Sequence, residues 1–161
     1  MSRLDSFIRR MKAQRACLNL AADKTRDIPG PVLELGLGNG RTYDHLREIL
    51  PGRRIFVFER QVQAHPGCIP PEENLFLGDF RDTLPGALAT MKERAALVHA
   101  DYGAGTPEYV TEMSAFLADT LPTLVKPGAL IISDYPIDGE GWTALPLPEG
   151  VQPNRYFIRQ A

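Results

Sequence analysis

Acidic side chains close one short apolar run after another in this 161-residue chain: Glu59 after Ile55-Phe56-Val57-Phe58, Asp79 after Leu75-Phe76-Leu77-Gly78, Asp101 after the run 95–100, and Asp134 after Ile131-Ile132-Ser133. A carboxylate so placed accepts hydrogen bonds from hydroxyls or balances a cation. A fifth, Glu34, opens a ladder of glycines, Glu34-Leu35-Gly36-Leu37-Gly38-Asn39-Gly40, followed by Arg41-Thr42. Each glycine removes a Cβ, so the backbone can take unusual dihedrals and a ligand can approach the main chain. A helix beginning at Arg41 would turn its free N–H groups and positive dipole end toward that ligand. Glu59 falls where a carboxylate can accept both ribose hydroxyls of an adenosine. One acid after a strand is commonplace; four facing the mouth of a glycine-rich loop make a lined crevice.

The elements that must hold these groups read as alternating helices and strands. Residues 2–22 form an amphipathic helix with Leu4, Phe7, Ile8, Met11 and Leu18 on one side. Arg3, Arg9, Arg10 and Lys12 lie on a face read as solvated, and Ser2 with Asp5 fits a capping box. Pro29-Gly30-Pro31 breaks the chain before the strand that carries Glu34. The helix after the glycine ladder spans 41–50, points Tyr43, Leu46, Ile49 and Leu50 inward, and stops at Pro51-Gly52. Strands follow at 54–59 and 74–78; His65-Pro66-Gly67 and Pro70-Pro71 prevent a full helix between them. Thr83 is expected to cap a helix over 85–94, and Thr106 one that starts at Pro107. The latter carries the stripe Val110, Met113, Leu117, Leu121 and Leu124 and is broken near Pro122. Strands at 95–100 and 129–133, the second after a Lys126-Pro127-Gly128 turn, and two closing strands at 142–147 and 155–160 complete the set. The expected fold class is α/β, a Rossmann-like doubly wound sheet of about seven strands, the last antiparallel, with a leading N-terminal helix. Ligands of such sheets bind beyond the carboxyl ends of the strands. His99, inside an apolar strand, reads as a satisfied core histidine; His45 on a helix and His65 in a loop carry no catalytic pattern.

Composition narrows the class. A chain of 161 residues suits one domain, 1–161, with 1–27 as leading helix and linker. Its 43% apolar and 24% charged residues are ordinary for a soluble globule, and a net charge of -2 gives no case for nucleic acid. No apolar run approaches the roughly 20 residues that cross a bilayer. No signal-peptide pattern stands at the start, and Cys17 and Cys68 form no disulfide or metal pattern, so a cytoplasmic setting is expected.

The glycine spacing chooses among ligands. A dinucleotide fingerprint G-x-G-x-x-G needs glycine at 41, where Arg41 stands. Glu34-x-Gly36-x-Gly38-x-Gly40 instead resembles the first motif of class I S-adenosylmethionine-dependent methyltransferases, and the likeness extends over 32–160. The resemblance implies S-adenosylmethionine as cofactor, held by Glu34, Leu35, Gly36, Gly38, Gly40, Thr42, Glu59, Arg60, Asp79, Phe80 and Asp101. In it Glu34 faces the amino group of the methionine part, Glu59 the ribose, and Asp79-Phe80 the adenine. Asp101 lies nearest the methionine end, and Asp134 and Tyr135 border the acceptor, the three forming the candidate catalytic set. Asp101 and Asp134 also resemble two metal ligands of magnesium-dependent O-methyltransferases. Tyr135 replaces the asparagine that supplies a further oxygen there, and Tyr102-Gly103-Ala104-Gly105 lacks that family's lysine, so metal-independent transfer is expected. The segment 135–141 is too short for the usual crossover helix, which leaves the acceptor unassigned. The expected partners are S-adenosylmethionine and a small-molecule acceptor, with a homo-oligomer allowed and neither membrane nor nucleic acid. Two alternatives stay open: a nicotinamide-dependent oxidoreductase, and a non-catalytic adenosyl-binding module.

Overall fold

A computed structural model describes residues 2–161. Its framework is one seven-stranded sheet made of β1 (Val32–Leu35), β2 (Ile55–Glu59), β3 (Leu75–Leu77), β4 (Ala95–Ala100), β5 (Val125–Ser133), β6 (Thr143–Ala144) and β7 (Phe157–Gln160), in the order β3-β2-β1-β4-β5-β7-β6. The first five strands are parallel, and β7 runs antiparallel to both β5 and β6. Every residue of β1 and β4 is buried, as expected of central parallel strands covered on both faces.

The helices divide between the faces. On one lie α1 (Arg3–Lys24) and α2 (Arg41–Ile49), packing Leu18, Tyr43 and Leu46 onto Val32, Val57, Leu97 and Ile132. On the other lie α3 (Phe80–Thr83), α4 (Ala87–Met91) and α5 (Pro107–Thr120), packing Phe80, Met91, Met113 and Leu117 onto Leu33, Phe58, Val98 and Ile131. Successive strand residues alternate between the two cores, which is the period-2 rule at work. The α5 stripe is buried throughout, and a 3-10 turn at Leu121–Thr123 marks where Pro122 ends the helix.

Three local expectations are corrected. The first concerns α1: the capping box at Ser2 and Asp5 is present, but the buried face is Ala13, Gln14, Cys17, Leu18, Ala21 and Ala22. Leu4, Phe7 and Ile8 stay 66%, 47% and 42% exposed, so the first half of the helix reaches past the sheet instead of packing on it. The second concerns Thr83, which caps no helix. Asp79 caps α3, accepting from Arg81 N at 2.9 Å, while Thr83 Oγ1 donates back to the Asp79 carbonyl at 2.9 Å. Pro85-Gly86 then interrupts the helix before α4, which ends at Lys92 in a left-handed conformation (φ 64). The third concerns Lys126-Pro127-Gly128, which lies inside β5 and is accommodated by a register shift between Ala95 and Leu97 of β4. The segment between β2 and β3 holds only 3-10 turns at Pro66–Cys68 and Glu72–Asn74. No helix crosses from β5 to β6.

Candidate functional site

At the carboxyl edge of the parallel strands lies a crevice of about 680 Å³. It runs from Gly78, Asp79 and Phe80 after β3, over Gly36–Asn39 after β1, to Asp101 and Tyr102 after β4. Glu59, Arg60, Arg41 and Thr42 also border it, as do Ala104, Gly105, Thr106 and Tyr109. Its roof comes from Phe7, Arg10, Met11 and Gln14 of α1.

The three ladder glycines serve different ends. Gly36 (φ 93) lets β1 and β4 close on each other, since a Cβ there would stand 2.5 Å from the Asp101 carbonyl oxygen. Gly40 (φ 88) begins α2 and lies against Cys68 and Ala64, so the loop 61–73 closes over it and His65 N donates to the Asn39 carbonyl. Gly38 (φ 51) alone has open space where its Cβ would stand, on the crevice wall. A bare main chain on the wall of a cleft, beside the N-terminal turn of a helix, lets a ligand approach the backbone closely.

Glu59 knits the loop to its neighbour strand. One carboxylate oxygen accepts from Leu37 N (2.8 Å) and Gly38 N (3.1 Å), the other from Arg60 N (2.7 Å) and Gln61 N (3.1 Å). Those four amides occupy all of its ordinary acceptor positions. Ribose hydroxyls at this carboxylate would therefore share or displace loop amides.

Glu34, Leu35 and Gly40 do not line the crevice. Leu35 is core, and Glu34 is fully buried on the α1 side of the sheet, taking hydrogen bonds from Thr42 Oγ1 and the His99 ring. His99 is thus a satisfied core histidine. Its pKa is nonetheless raised: burial opposes the charge, and the adjoining Glu34 carboxylate outweighs it.

Asp101 stands between crevice and core. Both its oxygens lie 2.7 Å from an Arg10 guanidinium nitrogen, and Gln14 Nε2 donates to one of them at 3.2 Å. Gln14 also donates to the Tyr156 hydroxyl at 2.5 Å, which in turn lies 3.4 Å from His99 Nε2. A polar chain thereby joins α1, β4 and the start of β7. Asp134 accepts from Tyr102 N (3.2 Å) and Gly103 N (2.9 Å). Burial, with the Asp101 charge second, pushes its carboxyl up to about 6. Tyr135 is 42% exposed beside Tyr102, ring centroids 6.2 Å apart, and neither Asp134 nor Tyr135 borders the crevice directly. Among the described residues no three His, Cys, Asp or Glu side chains converge as a metal-binding set.

Sequence reasoning missed Phe7, Arg10, Met11, Gln14 and Tyr109. The signal was there for α1: small residues at 13, 17 and 21, one helical turn apart, mark its packed face and leave the large apolar residues before them without a core partner.

The family described as S-adenosyl-L-methionine methyltransferase matches residues 1–161. Among solved structures, an S-adenosyl-L-methionine methyl transferase from Silicibacter pomeroyi DSS-3 is 46% identical with TM-score 0.92, covering 100% of this chain and 99% of that one. The plantazolicin methyltransferase BpumL, crystallised with a desmethyl-plantazolicin analogue and SAH, is 14% identical with TM-score 0.53, covering 74% of this chain and 45% of that one. DesVI from Streptomyces venezuelae is 16% identical with TM-score 0.53, covering 93% and 66%. These last two likenesses concern the fold alone. No curated protein matches the chain.

Proposed function

The chain belongs to the S-adenosyl-L-methionine methyltransferase family, and from that premise we propose that it is an active enzyme methylating a small molecule at the crevice beside Asp101. S-adenosylmethionine is the cofactor of this family, and the residues present suit it. The observation that carries the proposal is the crevice itself, with Gly38 bare at its wall and charged groups at both ends. We assign Asp79 and Phe80 to the adenine end, Glu59 with Arg60 to the ribose, and Gly36, Gly38 and Thr42 to the central stretch. Glu34, Leu35 and Gly40 act behind the wall by fixing the shape of the loop.

Bound there, the sulfonium cofactor supplies a methyl group already activated for displacement. What remains for the protein is alignment and exclusion of water, and orientation alone can contribute roughly 7–11 kcal/mol to lowering a barrier. Phe7, Met11, Tyr102 and Tyr109 give the crevice apolar and aromatic walls against which an acceptor can be held. Asp134, with its carboxyl pushed up to about 6, and Tyr135 stand behind the Gly103 turn, where they shape the acceptor side.

A second reading, an adenosyl-binding module without turnover, draws on the missing crossover helix between β5 and β6, which leaves the acceptor side little architecture of its own. Family membership sets the nicotinamide reading aside. A cytoplasmic location fits two free cysteines and the absence, among the described residues, of any helix long and apolar enough to cross a membrane. Incubation with cofactor labelled in its methyl group and fractionated cell extract tests the proposal: a labelled small molecule formed only with active protein is expected. Saturable cofactor binding with no label transferred would favour the module.

A further inference from the structure

The first half of α1 concentrates positive charge. Residues 3–15 hold five cations, Arg3, Arg9, Arg10, Lys12 and Arg15, against one acid, Asp5, in a chain whose net charge is -2. The remainder of the chain is therefore acidic. Asp5 is engaged in the capping box with Ser2, and Arg10 is paired with Asp101. Among the described residues Arg3, Arg9, Lys12 and Arg15 make no ion pair. Arg9 reaches only the Gln152 side chain, at 3.4 Å. The same overhanging half turns apolar side chains to solvent: Leu4, Phe7 and Ile8 are exposed, and Met11 is half-buried.

These four side chains recur at helical spacing and form one stripe. Cations border it, with Arg3 one turn before Phe7, Lys12 one turn after Ile8, and Arg15 one turn after Met11. Arg41, at the start of α2, adds another, its guanidinium 5.8 Å from the centre of the Phe7 ring. We propose that this stripe docks the protein on an anionic lipid surface, with Leu4, Phe7 and Ile8 at the boundary of headgroups and acyl chains and Arg3, Lys12 and Arg15 on the lipid phosphates. Charge complementarity selects the occupant. A second copy of the same face would set these unpaired cations against their equals, which is repulsive. A nucleic acid would neutralise the cations and leave Leu4 and Ile8 in water. An anionic leaflet answers both features, because it offers phosphates at its surface and hydrocarbon directly beneath. Long basic side chains can lie along apolar surface while their heads reach those phosphates. Spanning is a separate matter: among the described residues no helix is long and apolar enough to cross a membrane, and a helix lying in the interface need not be. Phe7 and Met11 also border the crevice, so the docking surface and the candidate site are continuous.

Co-sedimentation with vesicles tests the proposal, using phosphatidylglycerol and phosphatidylcholine in equal parts and, in parallel, phosphatidylcholine alone. The wild type should bind the mixed vesicles, release them as salt is added, and ignore the neutral ones. Replacing both Leu4→Ser and Ile8→Ser should weaken binding about tenfold or more, the scale of apolar burial withheld. Replacing Arg3→Gln, Lys12→Gln and Arg15→Gln together should weaken it about a hundredfold. All five side chains are exposed, so both variants should melt as the wild type does. No binding of the wild type to mixed vesicles overturns the proposal. So does binding that the serine variant retains in full, which would be adsorption by charge alone. A wild-type dimer in sedimentation equilibrium that the serine variant splits would assign the stripe to a second copy instead and overturn it as well.

Discussion

Glu34 and His99 face each other across β1 and β4, in register, with Oε2 and Nδ1 2.8 Å apart and both side chains fully buried. The pair sits behind the crevice on the α1 side of the sheet, between the strand that leads into the glycine ladder and the strand that ends at Asp101. Thr42 donates to the other oxygen of Glu34, so the first turn of α2 is tied to the same carboxylate. An acid beside a glycine loop thus serves here as an internal brace.

Removing one member of a buried ion pair leaves the other uncompensated, which costs about 3–5 kcal/mol. Glu34→Ala should therefore lower unfolding free energy on that scale in urea titrations, and Glu34→Gln by less. Full stability together with lost cofactor affinity would return Glu34 to the ligand-contact role that its family position implies.

Stability should depend on pH through two groups with the same sign. The Asp134 carboxyl is raised from 3.8 to about 6, so its contribution is complete below 3.8 and is lost as pH climbs through 6. His99 is raised above 6.5, so its contribution is complete below 6.5 and is lost as pH climbs through the higher folded value. The melting temperature of the wild type minus that of Asp134→Asn should fall between about pH 4 and 6. A flat difference would show that Asp134 titrates normally.

Gly38 and Gly40 should separate binding from folding. Both have positive φ, where a side chain costs roughly 1–2 kcal/mol. A methyl at Gly40 also meets Cys68 and Ala64, while one at Gly38 meets nothing in the protein. Gly40→Ala should cost more stability than Gly38→Ala, and Gly38→Ala should cost more affinity for S-adenosylhomocysteine. The reverse order in melts and titrations would place the ligand elsewhere.

Glu59→Ala removes the acceptor for four amides, and with it the loop's connection to the end of β2. Cofactor affinity should drop by roughly 1.5–3 kcal/mol, the range for hydrogen bonds to a charged group. An unchanged dissociation constant would show that neither the loop shape nor the ribose depends on this carboxylate.

Methyl transfer should survive EDTA. The Asp101 oxygens are held by Arg10 and Gln14, and those of Asp134 by two backbone amides, so a divalent ion would have to displace a guanidinium to gain two ligands. Activity abolished by EDTA and restored by magnesium would make these carboxylates a metal site.

Much of the fold could be read from the chain because its signals are local. Apolar runs, the prolines at 66, 70, 71 and 122, and the stripe of α5 act over a few residues, and the strands and helices they imply are present. The misreadings share another cause. Thr83 matched a capping pattern, but Pro85-Gly86 immediately after it decided the outcome, and Asp79 caps the turn instead. On α1, residue size does not mark burial; the small residues pack because the sheet lies close, and the large ones overhang. Arg10 lies on an exposed face, as its position on the helix implies, but its partner Asp101 is 91 positions away, a distance over which no periodicity carries information. The sequence brings Glu34 and Asp101 to the same edge of the sheet but does not show that Glu34, still inside β1, faces His99 on the α1 side while Asp101, past the end of β4, reaches the crevice.

The contact between Gln14 and Tyr156 spans 142 positions, so seating α1 is among the least local steps of folding. The helix that roofs the cleft precedes every strand in the sequence, and the residue that secures its underside follows all of them but β7. β6 waits as well, since its neighbour in the sheet is β7. Contacts of such wide separation must overcome the entropy of closing a long loop before they reward it, so the roof is expected to settle only on a sheet that has already formed.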